Sequence, residues 1–225
     1  MKRMMLVAAA CAMVTSPSAL LADSVESVNV VGYYTVTIPA NAQALLTPVL
    51  EDMDGATVAD LFADLPVGAS VSVWDREIKA YVSAQRTSRG GWGVIEDRVV
   101  LRGDAVFVSP NTVEDFDLTF MGEVPGAYNL AATTTVHNID VVDAVGYAYP
   151  IDVAWSNTTL YTDLAVNSGI SLWDVETQAY VSYQKTSRGG WGAFENGVIK
   201  AGTAFWVGPT NVETIDWVEE VPYEL

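Results

Sequence analysis

The chain repeats itself. Residues 73–117 read VWDREIKAYVSAQRTSRGGWGVIEDRVVLRGDAVFVSPNTVEDFD, and residues 172–216 read LWDVETQAYVSYQKTSRGGWGAFENGVIKAGTAFWVGPTNVETID, at a constant offset of 99. A fixed period means that one structural plan is used twice, so each copy must hold the same elements in the same order. GEVP at 122–125 matches EEVP at 219–222 after a two-residue slip, and upstream TVADLFADLPVGAS from Thr57 aligns weakly with SNTTLYTDLAVNSG from Ser156. The expected organisation is a leader over residues 1–22, a first unit over 23–125 and a second over 126–225. About 100 residues is a common domain size.

Each unit reads as β structure. Ala80, Val82 and Ala84 alternate with Tyr81, Ser83, Gln85 and Thr87, and the second copy alternates in the same way from Ala179 to Thr186, which is the period of a strand. VNVVGYYTVTIP, ALLTPVL, ASVSVW, RVVL and DAVFVSP add runs rich in Val, Thr and aromatics, separated by Gly, Pro, Asn and Asp. Val58, Leu61, Phe62 and Leu65 follow helical spacing, which predicts one short helix in the first unit, ended near Pro66. The corresponding NTTLYTDL is a poorer helix former. The expected fold class is all-β: two tandem homologous units, sandwich-like or open-barrel-like.

SVNVVGYYTVTIP after a leader, the DLP-G turn, VxVWD, the Gly-Trp-Gly string, G-AVFV and GEVP resemble a group of secreted tandem-repeat β proteins of planctomycete- and verrucomicrobia-like bacteria. The resemblance covers most of the chain after the leader. It implies an all-β secreted repeat protein and assigns no catalytic residue.

Met1-Lys2-Arg3, an uncharged apolar run from Met4 to Val14, a Ser16-Pro17-Ser18 break and ALLA before Asp23 have the layout of a cleaved secretory signal. The run falls short of the about 20 residues of a membrane span, and Cys11 lies too early in it for lipoprotein cleavage. Losing Lys2 and Arg3 with the leader takes the formal charge from −17 to −19, and losing Cys11 leaves no thiol. The expected localisation is secreted, periplasmic or cell-surface. Such acidity disfavours nucleic acid and anionic membranes as partners. With half of its residues hydrophobic, the chain is a folding one and not an acidic tail.

Little material exists for catalysis or metal binding. His137 is the only histidine, so a nucleophilic triad or a His-based zinc site lacks parts. Glu51 to Gly55 (EDMDG) resembles a fragment of a calcium loop, without its later ligands. Asp75, Glu77 and Glu96 recur as Asp174, Glu176 and Glu195 and are the candidates for acid–base hydrolysis of glycosides, which needs two carboxylates across a cleft. RGD at 102–104 keeps only its glycine in the second copy, as a tight turn would. No cofactor is implied.

TSRGGWG, identical in both copies, remains. Its glycines suit a hairpin following a strand over 80–87. Trp92 and Trp191 either plug their own units, with Arg89 and Arg188 stacked on them, or stand exposed as platforms for a sugar. The binding reading takes Arg89, Trp92, Arg188 and Trp191 as contacts, supported by Tyr81, Gln85, Tyr180 and Gln184, with a glycan or envelope component as the partner. The function expected on this reading is an exported non-catalytic binding or structural module of the cell envelope. A self-assembling structural protein and a carbohydrate-active hydrolase are the alternatives.

Overall fold

The computed structural model describes residues 31–51, 56–126 and 133–223. The expected leader, residues 1–22, and most of the EDMDG segment lie outside them. The first unit comprises β1 (Val31–Ile38), β2 (Ala44–Leu46), α1 (Val58–Leu61), β3 (Ser70–Asp75), β4 (Ala80–Gln85), β5 (Val106–Ser109) and β6 (Phe116–Glu123). The second comprises β7 (Thr133–Ile139), β8 (Asp143–Gly146), β9 (Val153–Ala154), α2 (Thr159–Asp163), β10 (Gly169–Asp174), β11 (Ala179–Gln184), β12 (Val198–Ile199), β13 (Ala204–Gly208) and β14 (Ile215–Glu220).

Both units use the same sandwich-like plan. An antiparallel four-stranded sheet, β2-β5-β3-β4 in one and β8-β13-β10-β11 in the other, faces a two-stranded ribbon, β1-β6 or β7-β14. The alternation read from the sequence places the core. Val71, Val73, Val106 and Val108 face Ile38, Leu118 and Phe120 of the ribbon, and α1 closes the side with Val58, while Phe62 and Leu65 follow in the turn. In the second unit Ile170, Phe205 and Val207 face Ile139, Ile215 and Trp217, over Trp155 and Leu160.

Both units contain a short helix, where the sequence suggested one only in the first. The two are stabilised differently. Thr57 accepts from the Asp60 amide while Asp60 reaches back to the Thr57 amide, a local capping box. Thr158 makes no such bond. Instead the Glu219 carboxylate, from β14, accepts from the Thr159 amide at 2.8 Å and from the Trp217 indole at 2.6 Å. A tertiary contact thus supplies the cap that the local sequence lacks. Burial raises the pKa of Glu219 against these bonds.

The units meet through contacts that occur in exchanged pairs. Leu46 bridges Thr203 as Val145 bridges Asp104. The Thr47 amide donates to Gly202 O and the Gly146 amide donates to Gly103 O, both at 2.9 Å. Each residue lies 99 positions from its counterpart, so the seam has the self-complementary form of a two-fold dimer interface, built within one chain. Six aromatics fill it. Phe107 packs edge-on to Trp173 (5.2 Å) and lies 6.5 Å from Tyr180, while Trp206 packs edge-on to Trp74 (4.7 Å) and Tyr81 (5.9 Å). One position breaks the symmetry: the Trp206 indole donates to the Tyr180 hydroxyl at 2.7 Å, but Phe107 has no donor to offer Tyr81, whose buried hydroxyl has no partner among the described residues.

The same position of the repeat meets itself at the pseudo-axis. A Cβ on Gly146 would fall 2.3 Å from Cβ of Thr47, its counterpart. Only one of the two can carry a side chain. Gly146→Ala should therefore cost about 3 kcal/mol of stability in urea unfolding, by overpacking, and Thr47→Gly in the same chain should recover about half of it, a coupling that a double-mutant cycle reads directly.

Candidate functional site

The duplicated string does not form a hairpin. β4 ends at Gln85, and the next strand, β5, pairs with β3 on the far side of the sheet. A tight turn follows β4, in which the Thr87 amide donates to Gly91 O and the Gly90 amide to Thr87 O. One turn of 3₁₀ helix, Gly93–Ile95, then carries the chain away. Gly90 and Gly93 adopt φ of +88° and +60° with open space at their Cβ positions. Their backbone angles, and not close neighbours, require glycine there.

The positive φ values turn Trp92 inward. Trp92 and Trp191 are each 1% exposed, and Trp191 stands edge-on to Trp155 at 5.0 Å. The Glu96 carboxylate accepts from the Trp92 amide at 3.3 Å and Glu195 from the Trp191 amide at 2.6 Å, fastening the loop above each indole. Neither tryptophan can be a sugar platform, which corrects the reading of both as ligand contacts. The stacked cation is also a different residue: Arg86, not Arg89, lies 6.0 Å from the Trp92 ring. Arg86 donates to the carbonyls of Ala63 and Leu65, and its counterpart Lys185 donates to those of Tyr161, Thr162 and Leu164. This pair ties the end of β4 to the turn after α1, and the end of β11 to the last turn of α2 and Leu164 beyond it. Trp92→Ala or Trp191→Ala should lower unfolding stability by about 3–5 kcal/mol, measured by thermal or denaturant unfolding.

The other candidates separate as well. Tyr81 and Tyr180 belong to the aromatic seam, which removes Tyr81 from a common binding surface with Arg89. The Gln85 and Gln184 amides donate to Gly68 O (2.9 Å) and Asn167 O (3.0 Å), strapping the adjacent loops. Arg89 and Arg188 alone stay fully available. Nine Lys and Arg lie after residue 22, and seven of them hold a carboxylate or a carbonyl: Arg76, Lys79, Arg86, Arg98, Arg102, Lys185 and Lys200. Arg89 and Arg188, equivalent residues at the exposed loop tips, have no partner among the described residues. Thr87, Ser88, Gly90, Gly91, Gly93 and Glu96 line a shallow, open depression beside Arg89.

The recurring carboxylates do local work. Asp75 accepts from the Glu77 and Ile78 amides at 3.0 and 3.2 Å and pairs with Arg98 at 3.0 Å. Asp174 accepts from the Glu176 and Thr177 amides, both at 2.9 Å. Those bonds, the Ile78 and Thr177 amides foremost, hold Asp75 and Asp174 below the usual carboxylate range. Glu195 is lowered chiefly by the Tyr161 hydroxyl. A general acid requires the opposite shift. The RGD glycine lies in a tight turn at φ +83°, and Arg102 bonds Glu51 and Ala148 O instead of pointing outward.

A charged cluster that the sequence did not reveal sits at the edge of the seam. Arg76 pairs with Asp104 at 3.0 Å and Asp143 at 3.5 Å, and Lys79 reaches Asp140 and Asp143 at 3.5 and 3.6 Å. The Trp74 indole donates to the fully buried Asp143 at 2.5 Å. Arg76 Nη2 and Gly103 O both approach His137 Nε2, at 2.6 and 2.7 Å. A guanidinium only donates and a carbonyl only accepts, so this one nitrogen serves Arg76 with its lone pair or Gly103 with an N–H, and not both at once. Burial, then the Arg76 charge, drives the His137 pKa down to about 3 from its ordinary 6.5. No group of three or more metal-binding side chains occurs among the described residues.

The sign of the linkage follows. Above pH 6.5 His137 is neutral folded or unfolded and contributes nothing. As pH falls from 6.5 towards 3 the unfolded chain takes up a proton that the folded one refuses, and stability drops by up to about 1.4 kcal/mol per pH unit. Burial of Asp104 raises its pKa and works in the opposite direction. His137→Gln offers an oxygen to Arg76 and an NH2 to Gly103 and does not titrate, so it should lose about 2 kcal/mol less than the wild type between pH 7 and pH 5 in urea titrations. No family model, curated protein or solved structure matches the chain.

Proposed function

We propose that this protein is an exported, non-catalytic module of the cell envelope that works by presenting two equivalent recognition loops on one rigid body. The observation that carries the reading is the isolation of Arg89 and Arg188. In a chain with 28 acidic residues, any exposed cation has carboxylates to choose from, and every other cation after the leader has a partner. Keeping the same two uncompensated suits contact with an outside partner, since Arg is a residue that interfaces favour. An envelope component, glycan or protein, that offers carboxylate or hydroxyl groups fits a lone guanidinium beside a polar depression lined by Ser88 and Thr87. Stacking on tryptophan is not part of the recognition. Lowered carboxylates committed to turns support the non-catalytic reading over hydrolysis.

Two loops on one body also give avidity when both engage one surface. Purified protein should therefore be retained by isolated cell-envelope material, and Arg89→Ala/Arg188→Ala should cut retention by about tenfold or more with an unchanged melting temperature. Equal retention of wild type and variant would sink the reading.

A further inference from the structure

β11 is an edge strand. It pairs with β10 on one side only, and beyond those bonds no backbone hydrogen bond within the described residues engages residues 179–184. Edge strands usually carry a charge or a proline that blocks pairing with another chain. β11 reads AYVSYQ, with neither, in a chain of formal charge −17. All of its residues but Tyr183 are exposed, Tyr180 by 40% and Val181 by 39%. Its counterpart β4 has the same pattern but is half-covered.

The ends of β11 carry opposite charges with no partners of their own. Arg188 lies four residues beyond the strand and is unpaired. Glu176 lies three residues before it, exposed, and its carboxylate has no partner among the described residues. Two β11 strands laid antiparallel about a two-fold at Ser182, Gln184 opposite Tyr180, keep each face of the sheet continuous and set Arg188 of each copy opposite Glu176 of the other. Pairing with itself therefore satisfies both the backbone edge and the charges.

We infer that the outer edge of β11 is a docking surface for a second copy of this chain, joined strand to strand with two reciprocal Arg188–Glu176 pairs. The inference rests on the proposal that Arg188 is kept for a partner; in the dimer that partner is the second copy, and the loops left facing the envelope are the two Arg89 loops, one from each copy. The occupant follows from charge complementarity: a generic extended peptide need not place an acid at that spacing, whereas a second β11 always does. Two-fold pairing closes after two copies and leaves the Arg89 loop of each copy open.

Sedimentation velocity on the full chain over a range of concentrations tests it. A monomer–dimer equilibrium is expected. Arg188→Glu and Glu176→Arg should each weaken it by about tenfold, because each reversal creates two repulsive contacts. The combined Arg188→Glu/Glu176→Arg chain should regain most of the wild-type affinity, since the pairs are restored with reversed sign. Val181→Lys, on the edge itself, should abolish dimerisation while the melting temperature holds. A monomer at every concentration overturns the inference, as does a dimer indifferent to both reversals and to Val181→Lys. Retention on envelope material that depends on Arg89 while the chain stays monomeric would leave the proposed function standing and remove this inference alone.

Discussion

Everything about the relation between the two units depends on the close approach of Thr47 and Gly146. They occupy the same place in the repeat and face each other across the pseudo-axis, with room for one side chain. Around that point the exchanged amide bonds of Thr47 and Gly146 align the β2 and β8 edges. The six seam aromatics then pack with their rings mostly edge-on, an arrangement favoured over face-to-face stacking. A tandem repeat with a flexible joint would leave those rings in water. Here they lock the chain into a single body, which fixes where the Arg89 and Arg188 loops stand.

The seam also shows how a duplicated plan tolerates unequal copies. Trp206 and Tyr180 share a hydrogen bond that Phe107 and Tyr81 cannot make. Arg76 anchors a charged cluster, while its counterpart Val175 packs against the core of the first unit. α1 has its own cap, and α2 borrows Glu219. In each case the fold is kept while the interaction holding it changes, because what must be conserved is the filling of space and the satisfaction of backbone groups.

Much of the local structure was legible. The 99-residue offset predicts two copies of one plan, and alternation in AYVSAQ and AYVSYQ assigns strands whose inward residues, Val82 and Ala84, do pack on the core. The function of TSRGGWG was legible only in part. Its glycines signalled left-handed backbone, but a positive φ at Gly93 serves equally to close a hairpin or to send the chain beneath its own sheet. Which happens depends on whether the core has space for an indole. Aromatics at 74/173, 81/180 and 107/206 recur in both copies, and that triple recurrence was the available signal for the seam. It does not say whether the rings face inward, outward or the other unit.

By itself, the sequence determined the repeat, the β class, the acidity and the scarcity of nucleophiles and metal ligands, because these follow from residue identity and spacing along the chain. Only the tertiary structure decided which cations are spent on carboxylates and carbonyls and which are free. It also decided that Trp92 and Trp191 are core, and that two units form one body through a self-complementary seam. The physical reason is the same in each case. Burial, ion pairing and close packing are set by residues brought together from 20 to 130 positions apart, and no local pattern encodes those distances.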